Sequence, residues 1–220
     1  MQYTHRFKDN SETGLPLGKV VCVGRNYADH AAELNNPIPT EPMLFIKPAS
    51  SVVPLEQPFV VPQGLGSVHF ETEMSILIGE RLQHTDLSAA RAGIAGVGLA
   101  LDLTLRDMQD QLKKKGLPWE KAKAFDGACP MSVFVKPDQV ADLQAQQIRL
   151  TVNGDLRQDG NSRQMLNQVL PLISYISSFF TLEPGDVVLT GTPAGVGPVQ
   201  AGDQLVVELS DLLSVETSAQ

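Results

Sequence analysis

Cysteine is nearly absent from this chain. Cys22 and Cys129 are the only two in 220 residues, and neither sits in a C-x-x-C pair or a Cys/His cluster. That excludes a disulfide framework and a thiolate zinc site, and it points to reduced, structural thiols in a cytoplasmic protein. Positive charge is also scarce. There are 17 Lys and Arg against 25 Asp and Glu, for a net charge of −8, which argues against nucleic acid or an anionic membrane as partner. Long apolar runs are missing. The longest, VLPLISYISSFF, contains Pro171 and falls short of the roughly 20 residues that cross a bilayer. The opening stretch, MQYTHRFKDNSETG, has no apolar core of the kind a secretory signal needs. No repeat, low-complexity tract or Pro/Gly/Ser-rich linker divides the sequence. Residues 1–220 therefore read as one domain, long enough for a well-buried core.

Strand patterns dominate what is present. KVVCVGRN reads as a short buried strand ending at Gly24, and MLFIKP as another stopped by Pro48. VHFETEMSILIGERL alternates, with Phe70, Thr72, Met74, Ile76 and Ile78 on one side and His69, Glu71, Glu73, Ser75 and Leu77 on the other. GVGLALDLTLRD alternates too, with Leu99, Leu101, Leu103 and Leu105 opposite Ala100, Asp102, Thr104 and Arg106. IRLTVNGDLRQ predicts a hairpin turning at Asn153-Gly154, because that dipeptide tolerates positive φ at both turn positions. DVVLTGTP and DQLVVEL follow. Helices are fewer: YADHAAEL, RDMQDQLKKKG ended by Gly116, and SRQMLNQVLPLISYISSFF. In the last, Pro171 either kinks the helix or lies in the first turn of one that starts near Leu170. The pattern predicts a mainly β fold with peripheral helices (α+β), a sandwich or roll.

Glu71 and Glu73 flank Thr72, so on a strand they share a face. Asp102 likewise points away from a leucine stripe. Buried together, such carboxylates would repel one another and resist ionisation. A divalent cation removes that penalty, and three oxygen ligands suit Mg²⁺, Mn²⁺ or Ca²⁺ rather than Zn²⁺. The ordinary alternative is a solvated strand face, and spacing alone leaves both open.

The stretches VGRNYADHAAEL, PMLFIKPASSVV, VHFETEMSILIG, GVGLALDLTLRDMQ, KAKAFDGACPMSVFV, LTVNGDLRQDGNSRQML and LEPGDVVLTGTPAGVGPV lie between Val20 and Val199. In that order they resemble the fumarylacetoacetate hydrolase family, in particular its short acylpyruvate-hydrolase-like branch. The resemblance implies a mixed β-sandwich roll, a homodimer and small 2-keto or 1,3-dicarbonyl acids as substrates. It also implies that Glu71, Glu73 and Asp102 hold Mg²⁺ or Mn²⁺. The ending ELSDLLSVETSAQ departs from the family's Gly-rich last strand and puts the packing of that strand in question.

Other residues take roles beside the metal, His30, Glu33 and Lys123 by the resemblance and the rest by their position in the pattern. His30 and Glu33 lie three apart and share a helix face, with His30 as base and Glu33 orienting it, on a segment that serves relatives as a lid. Lys123 is the cation beside the metal, either stabilising an oxyanion or holding a coordinating carboxylate. Lys121 and Lys123 alternate, which also fits a solvated strand edge or a loop. Arg106, placed on Asp102's face of a continuing strand, pairs with a substrate carboxylate or with Asp107 or Asp110. Gln109 donates to the substrate, and Arg25 helps bind the acid or forms a structural salt bridge. TGTPAGVG lacks the Lys-Ser/Thr pair of a P-loop. Its glycines are read as allowing backbone approach to a ligand, with Thr192 supplying a hydroxyl. His69 is read as packed beside the site, and Cys129 as no nucleophile. The leading expectation is hydrolysis of an acylpyruvate or fumarylpyruvate-like acid to pyruvate and a carboxylic acid. Oxaloacetate decarboxylation and keto–enol tautomerisation or isomerisation use the same enolate, and a binding protein without turnover is a further possibility.

Overall fold

Two strand pairs break at the same level, and that shared break places the site. The computed structural model describes residues 3–34 and 37–220. In chain order the first strands are β1 (Val20–Gly24), β2 (Met43–Lys47), β3 (Val52–Pro54), β4 (Val68–Phe70), β5 (Thr72–Ile78), β6 (Ile94–Leu101) and β7 (Thr104–Leu105). They continue with β8 (Cys129–Met131), β9 (Gln147–Val152), β10 (Asp155–Asn161), β11 (Val187–Leu189), β12 (Gly197–Pro198), β13 (Gln204–Leu209) and β14 (Leu213–Ser218). The helices are α1 (Ala28–Glu33), α2 (Leu87–Ala92), α3 (Arg106–Lys114), α4 (Glu120–Lys123) and α5 (Val169–Ser177). A seven-stranded sheet runs β2-β1-β11-β5-β6-β8-β3, a four-stranded sheet β10-β9-β13-β14, and a three-stranded sheet β12-β4-β7. The large sheet is mixed: β1 with β11 and β3 with β8 are parallel, while β5 and β6 are antiparallel. The fold is the mainly β, mixed sandwich roll with few helices that the pattern predicts.

The stretch read as one strand from Val68 is two. β4 belongs to the small sheet and β5 to the large one, with Glu71 between them. The partner strand breaks likewise, β6 ending at Leu101 and β7 starting at Thr104. The register is the same on both sides of the break: Thr72 pairs with Leu101 and His69 with Thr104. Glu71 therefore lies opposite Asp102, and the Asp102 N–H donates to the Glu71 carbonyl at 2.8 Å. Cross-strand neighbours share a face, so Glu71, its i+2 neighbour Glu73 and Asp102 are gathered on one side.

That side is not solvated. Met74, Ile76 and Ile78 of β5 join one apolar cluster with Val97, Leu99 and Leu101 of β6, while Leu77 and Ala100 join another with Val20, Cys22, Val187 and Leu189. Both faces of the central strands are covered, so a charge there is held in a low-dielectric interior.

Elsewhere, Asn153 and Gly154 turn the β9–β10 hairpin with φ of 52° and 87°. A bulge between Leu156 and Gln158 then turns the Gln158 side chain into the core. Pro171 is the third residue of α5, so the helix starts just before it. The amide that Pro171 lacks has no partner in a first turn anyway. The atypical ending pairs along its length with β13, and its alternate residues Leu213, Val215 and Thr217 are buried. Among the described residues no helix is long and apolar enough to cross a membrane.

Candidate metal centre

Glu71, Glu73 and Asp102 are 5%, 2% and 1% exposed, which excludes the solvated-face reading. Each offers an oxygen within 4.8 Å of the others'. Three cations surround them. Lys123 Nζ donates to Glu71 Oε2 at 2.8 Å, Asp102 Oδ2 at 2.6 Å and Thr104 Oγ1 at 2.7 Å. The Arg106 guanidinium donates to Glu71 Oε1, and its other arm to Gln109 Oε1 at 2.7 Å. Lys47, at the end of β2, places Nζ 2.8 Å from Asp102 Oδ1 as an ion pair. Its hydrogen bonds go to the carbonyls of Lys123 and of Ala128, the latter at 3.1 Å.

The electrostatics are uneven. Burial pushes the Glu71 carboxyl up, but the adjacent charges of Lys123 and Arg106 outweigh it and hold Glu71 well below the usual range. Glu73 is driven well above that range, first by burial and then by the charges of Asp102 and Glu71. Its hydrogen bond from the Gly191 N–H, at 2.6 Å, opposes this only in part. Burial lowers Lys123, and Asp102 and Glu71 more than restore it, so its ammonium is held firmly charged.

These residues fit a divalent cation. Asp102 Oδ1 is buried yet accepts no aligned hydrogen bond from any described residue. Among the described residues no cation lies within hydrogen-bonding distance of Glu73, whose carboxylate accepts from the Gly191 N–H. The donor set is all oxygen, which selects a hard ion. A doubly charged ion in contact with these oxygens supplies the counter-charge that Glu73 lacks.

One pocket is lined by Arg25, His30, Glu71, Glu73, Asp102, Arg106, Gln109, Lys123 and Thr192. Glu33 stands behind it, lining a neighbouring cavity. His30 is buried on α1, and its Nδ1 lies 3.4 Å from Glu33 Oε2. Glu33 also accepts from the Gly195 N–H, at 3.1 and 3.2 Å to its two oxygens. Burial lowers the His30 pKa against the opposing charges of Glu71 and Glu33. Burial thus favours the neutral imidazole, whose Nδ1 faces the Glu33 carboxylate.

Several placements differ from the sequence reading. Arg106 is not on a continuing strand; β7 stops at Leu105 and Arg106 opens α3. Its partner is Glu71, while Asp107 accepts from the Ser67 N–H at 2.9 Å. Lys121 and Lys123 lie on the short helix α4, one turned to solvent and the other inward. In TGTPAGVG the close approaches are to the protein itself. A Cβ on Gly191 would lie 2.7 Å from the Asn26 Cβ, and one on Gly195 2.0 Å from the Arg157 carbonyl oxygen. Thr192 Oγ1 accepts from Gln158 Nε2 at 2.8 Å. Arg25 sits past β1 with φ of 57°, an uncommon conformation for a side chain of its size. Cys129 is fully buried, which pushes its thiol up to about 12.

Lys47 and Gln158 escape sequence reasoning. Lys47 is a fully buried lysine at the end of an apolar strand just before Pro48. That is the one signal it leaves, because lysines are almost never buried without a partner. Gln158 accepts from the Thr72 N–H at 3.0 Å and donates to Thr192 and Pro193, tying β5 to the TGTP loop. Nothing in its local pattern announces this.

Known proteins resemble this chain in sequence and fold. Oxaloacetate tautomerase YcgM from Escherichia coli (strain K12) is 50% identical over 206 residues, covering 93% of this chain and 94% of that protein. A mitochondrial oxaloacetate decarboxylase from Dictyostelium discoideum is 45% identical over 202 residues, covering 91% of each. A crystal structure of fumarylpyruvate hydrolase from Pseudomonas aeruginosa, in complex with Mn²⁺ and pyruvate, superposes with a TM-score of 0.92 at 34% identity, over 99% of this chain and 95% of that one. The family model described as fumarylacetoacetate (FAA) hydrolase C-terminal matches residues 19–219, a span that holds every carboxylate and cation of the centre, and the chain belongs to that family.

Proposed function

We propose that the chain is a metal-dependent oxaloacetate tautomerase, moving a proton between C3 and the 2-oxo oxygen. The observation that carries this reading is the convergence of Glu71, Glu73 and Asp102 in one pocket with a buried, neutral His30. The relative named oxaloacetate tautomerase, at 50% identity, supports the choice of substrate.

Glu71, Glu73 and Asp102 would hold Mg²⁺ or Mn²⁺. When bound, the ion supplies Lewis acidity toward the 2-oxo acid head of the substrate. The remaining work falls to side chains. His30 Nε2 takes the proton from C3, and the C–H electron pair becomes the C2–C3 double bond. The 2-oxo oxygen takes a proton from solvent, which completes the enol, and protonated His30 returns its own to solvent. Glu33 orients the imidazole and stabilises it once protonated. Lys123, with its donors spent on Glu71, Asp102 and Thr104, keeps two carboxylates aligned. This is the second of the two roles the resemblance implies for it. Arg106 and Gln109, bonded to each other at the pocket wall, contact the 2-oxo acid head of the substrate.

Decarboxylation is a second reading, favoured by the Dictyostelium relative named for it. Loss of CO₂ from C4 leaves the enolate of pyruvate and needs the same charge sink but no base. Hydrolysis of an acylpyruvate, the leading expectation from the sequence, has weaker support: the structure named as a hydrolase is 34% identical. The test is the decay of oxaloacetate enol absorbance with Mg²⁺ and with EDTA, beside pyruvate release from acetylpyruvate. The reading expects accelerated enol decay that EDTA abolishes. Faster cleavage of acetylpyruvate than conversion of oxaloacetate would overturn it.

A further inference from the structure

The pocket carries cations that the carboxylate cluster does not use. Arg25 lines it half-buried, and burial alone acts on its guanidinium. Lys113, on α3, lines it as well and also the cavity next door. The Lys113 side chain is 23% exposed, and its nearest carboxylate oxygen is Asp110 Oδ1 at 3.8 Å, beyond a hydrogen bond. Trp119 lines the same pocket, beside Lys113 and the end of β1. The Lys113 ammonium sits 5.6 Å above the centre of its ring. The ring edge meets the end of β1, where a Cβ on Gly24 would lie 3.7 Å from Trp119 Cζ3. Arg25 follows directly, in its left-handed conformation. Burial lowers the Lys113 pKa, and the charges of Arg106 and Arg25 add to this against the opposing charges of Asp110 and Glu71. Like charges held half-buried across a pocket repel and lose solvation, and an anion between them relieves both costs.

We propose that Arg25 and Lys113 form a subsite for a second carboxylate, which makes the centre selective for 2-oxo dicarboxylates over 2-oxo monocarboxylates. The inference rests on the keto-acid reading of the metal centre and deepens it. The 2-oxo acid head goes to Glu71, Glu73 and Asp102, and the distal carboxylate goes to the mouth. Lys113 adds a point charge pinned by the indole, and Arg25 a guanidinium that can engage both carboxylate oxygens.

The test is binding, read from the fluorescence of Trp119, the chain's one tryptophan. The Mg²⁺-loaded protein is titrated with oxaloacetate and with pyruvate, which share the 2-oxo acid head and differ in the second carboxylate. A charge-assisted contact is worth enough to shift affinity about 10- to 100-fold. Wild type is expected to favour oxaloacetate by about that factor. Lys113→Met and Arg25→Gln are each expected to cut the ratio of the two affinities about 10-fold, with unchanged melting temperatures showing that both fold. A wild-type ratio near one, no oxaloacetate binding, or a ratio intact in both variants overturns the inference. If the ratio behaves as expected but enol decay is not accelerated, the tautomerase reading falls and the subsite stands.

Discussion

Asp102 donates its backbone N–H to the Glu71 carbonyl at 2.8 Å, while the two side chains share the ammonium of Lys123. Backbone pairing and a common cation thus hold the two carboxylates in one arrangement, at the point where β4 passes into β5 and β6 into β7.

Lys123→Met leaves Glu71 and Asp102 buried without their shared cation. Removing one partner of a buried ion pair costs about 3–5 kcal/mol. The variant is expected to melt well below wild type without metal, and Mg²⁺ is expected to recover much of the loss. Thermal melts with EDTA and with Mg²⁺ check this; a loss that metal does not reduce counts against a cation site at these oxygens.

His30→Ala removes the proposed base. Oxaloacetate tautomerisation is expected to fall by about 10²–10⁴-fold, while Mn²⁺ affinity holds and some decarboxylation survives. Burial lowers the His30 pKa, and the base works in its neutral form. Activity is therefore expected to be flat at neutral pH and to fall only on the acid side of about 6.5, the ordinary histidine value. Equal loss of both reactions in the variant would show that the imidazole serves both.

Gln158→Leu strands the Thr72 N–H and frees the Thr192 hydroxyl, both buried. An orphaned buried donor costs about 1–3 kcal/mol. Urea unfolding is expected to show a loss of that size, accompanied by weaker substrate binding as the TGTP loop loosens. Unchanged stability would mean that Gln158 is not the tie between that loop and β5.

How much of this was legible follows from where each residue's partners lie. The acidic pair is readable because alternation is local: Glu71, at the break between β4 and β5, and Glu73, on β5, stay two residues apart on one side. Its burial is not, since that depends on α3, α4 and β2 closing over it. The alternation that places Arg106 on a continuing strand fails at Leu105, yet the first turn of α3 brings its guanidinium to Glu71 all the same. Lys47 and Gln158 were invisible because their partners, Asp102 and Thr72, are far off in the chain. The hairpin at Asn153-Gly154 was plain because its φ values are a property of two adjacent residues.

His5 is buried, with Nε2 3.0 Å from the Gly185 carbonyl oxygen. Burial lowers its pKa against the pull of that carbonyl. Between the folded pKa and the unfolded value of about 6.5, the unfolded chain binds more protons. This contribution to stability is therefore complete above about 6.5 and shrinks as pH falls toward the folded pKa. His5→Asn is expected to flatten the acid limb of a plot of melting temperature against pH. An identical limb in the variant would assign the slope to other groups.

The central claim is that three carboxylates hold one doubly charged ion, and titration of the metal-free protein with Mn²⁺, followed by electron paramagnetic resonance of the free ion, tests it most directly. The account predicts a single tight site per chain that disappears in Asp102→Asn and in Glu73→Gln. A tight site that survives both substitutions, or no saturable site in the wild type, would contradict it.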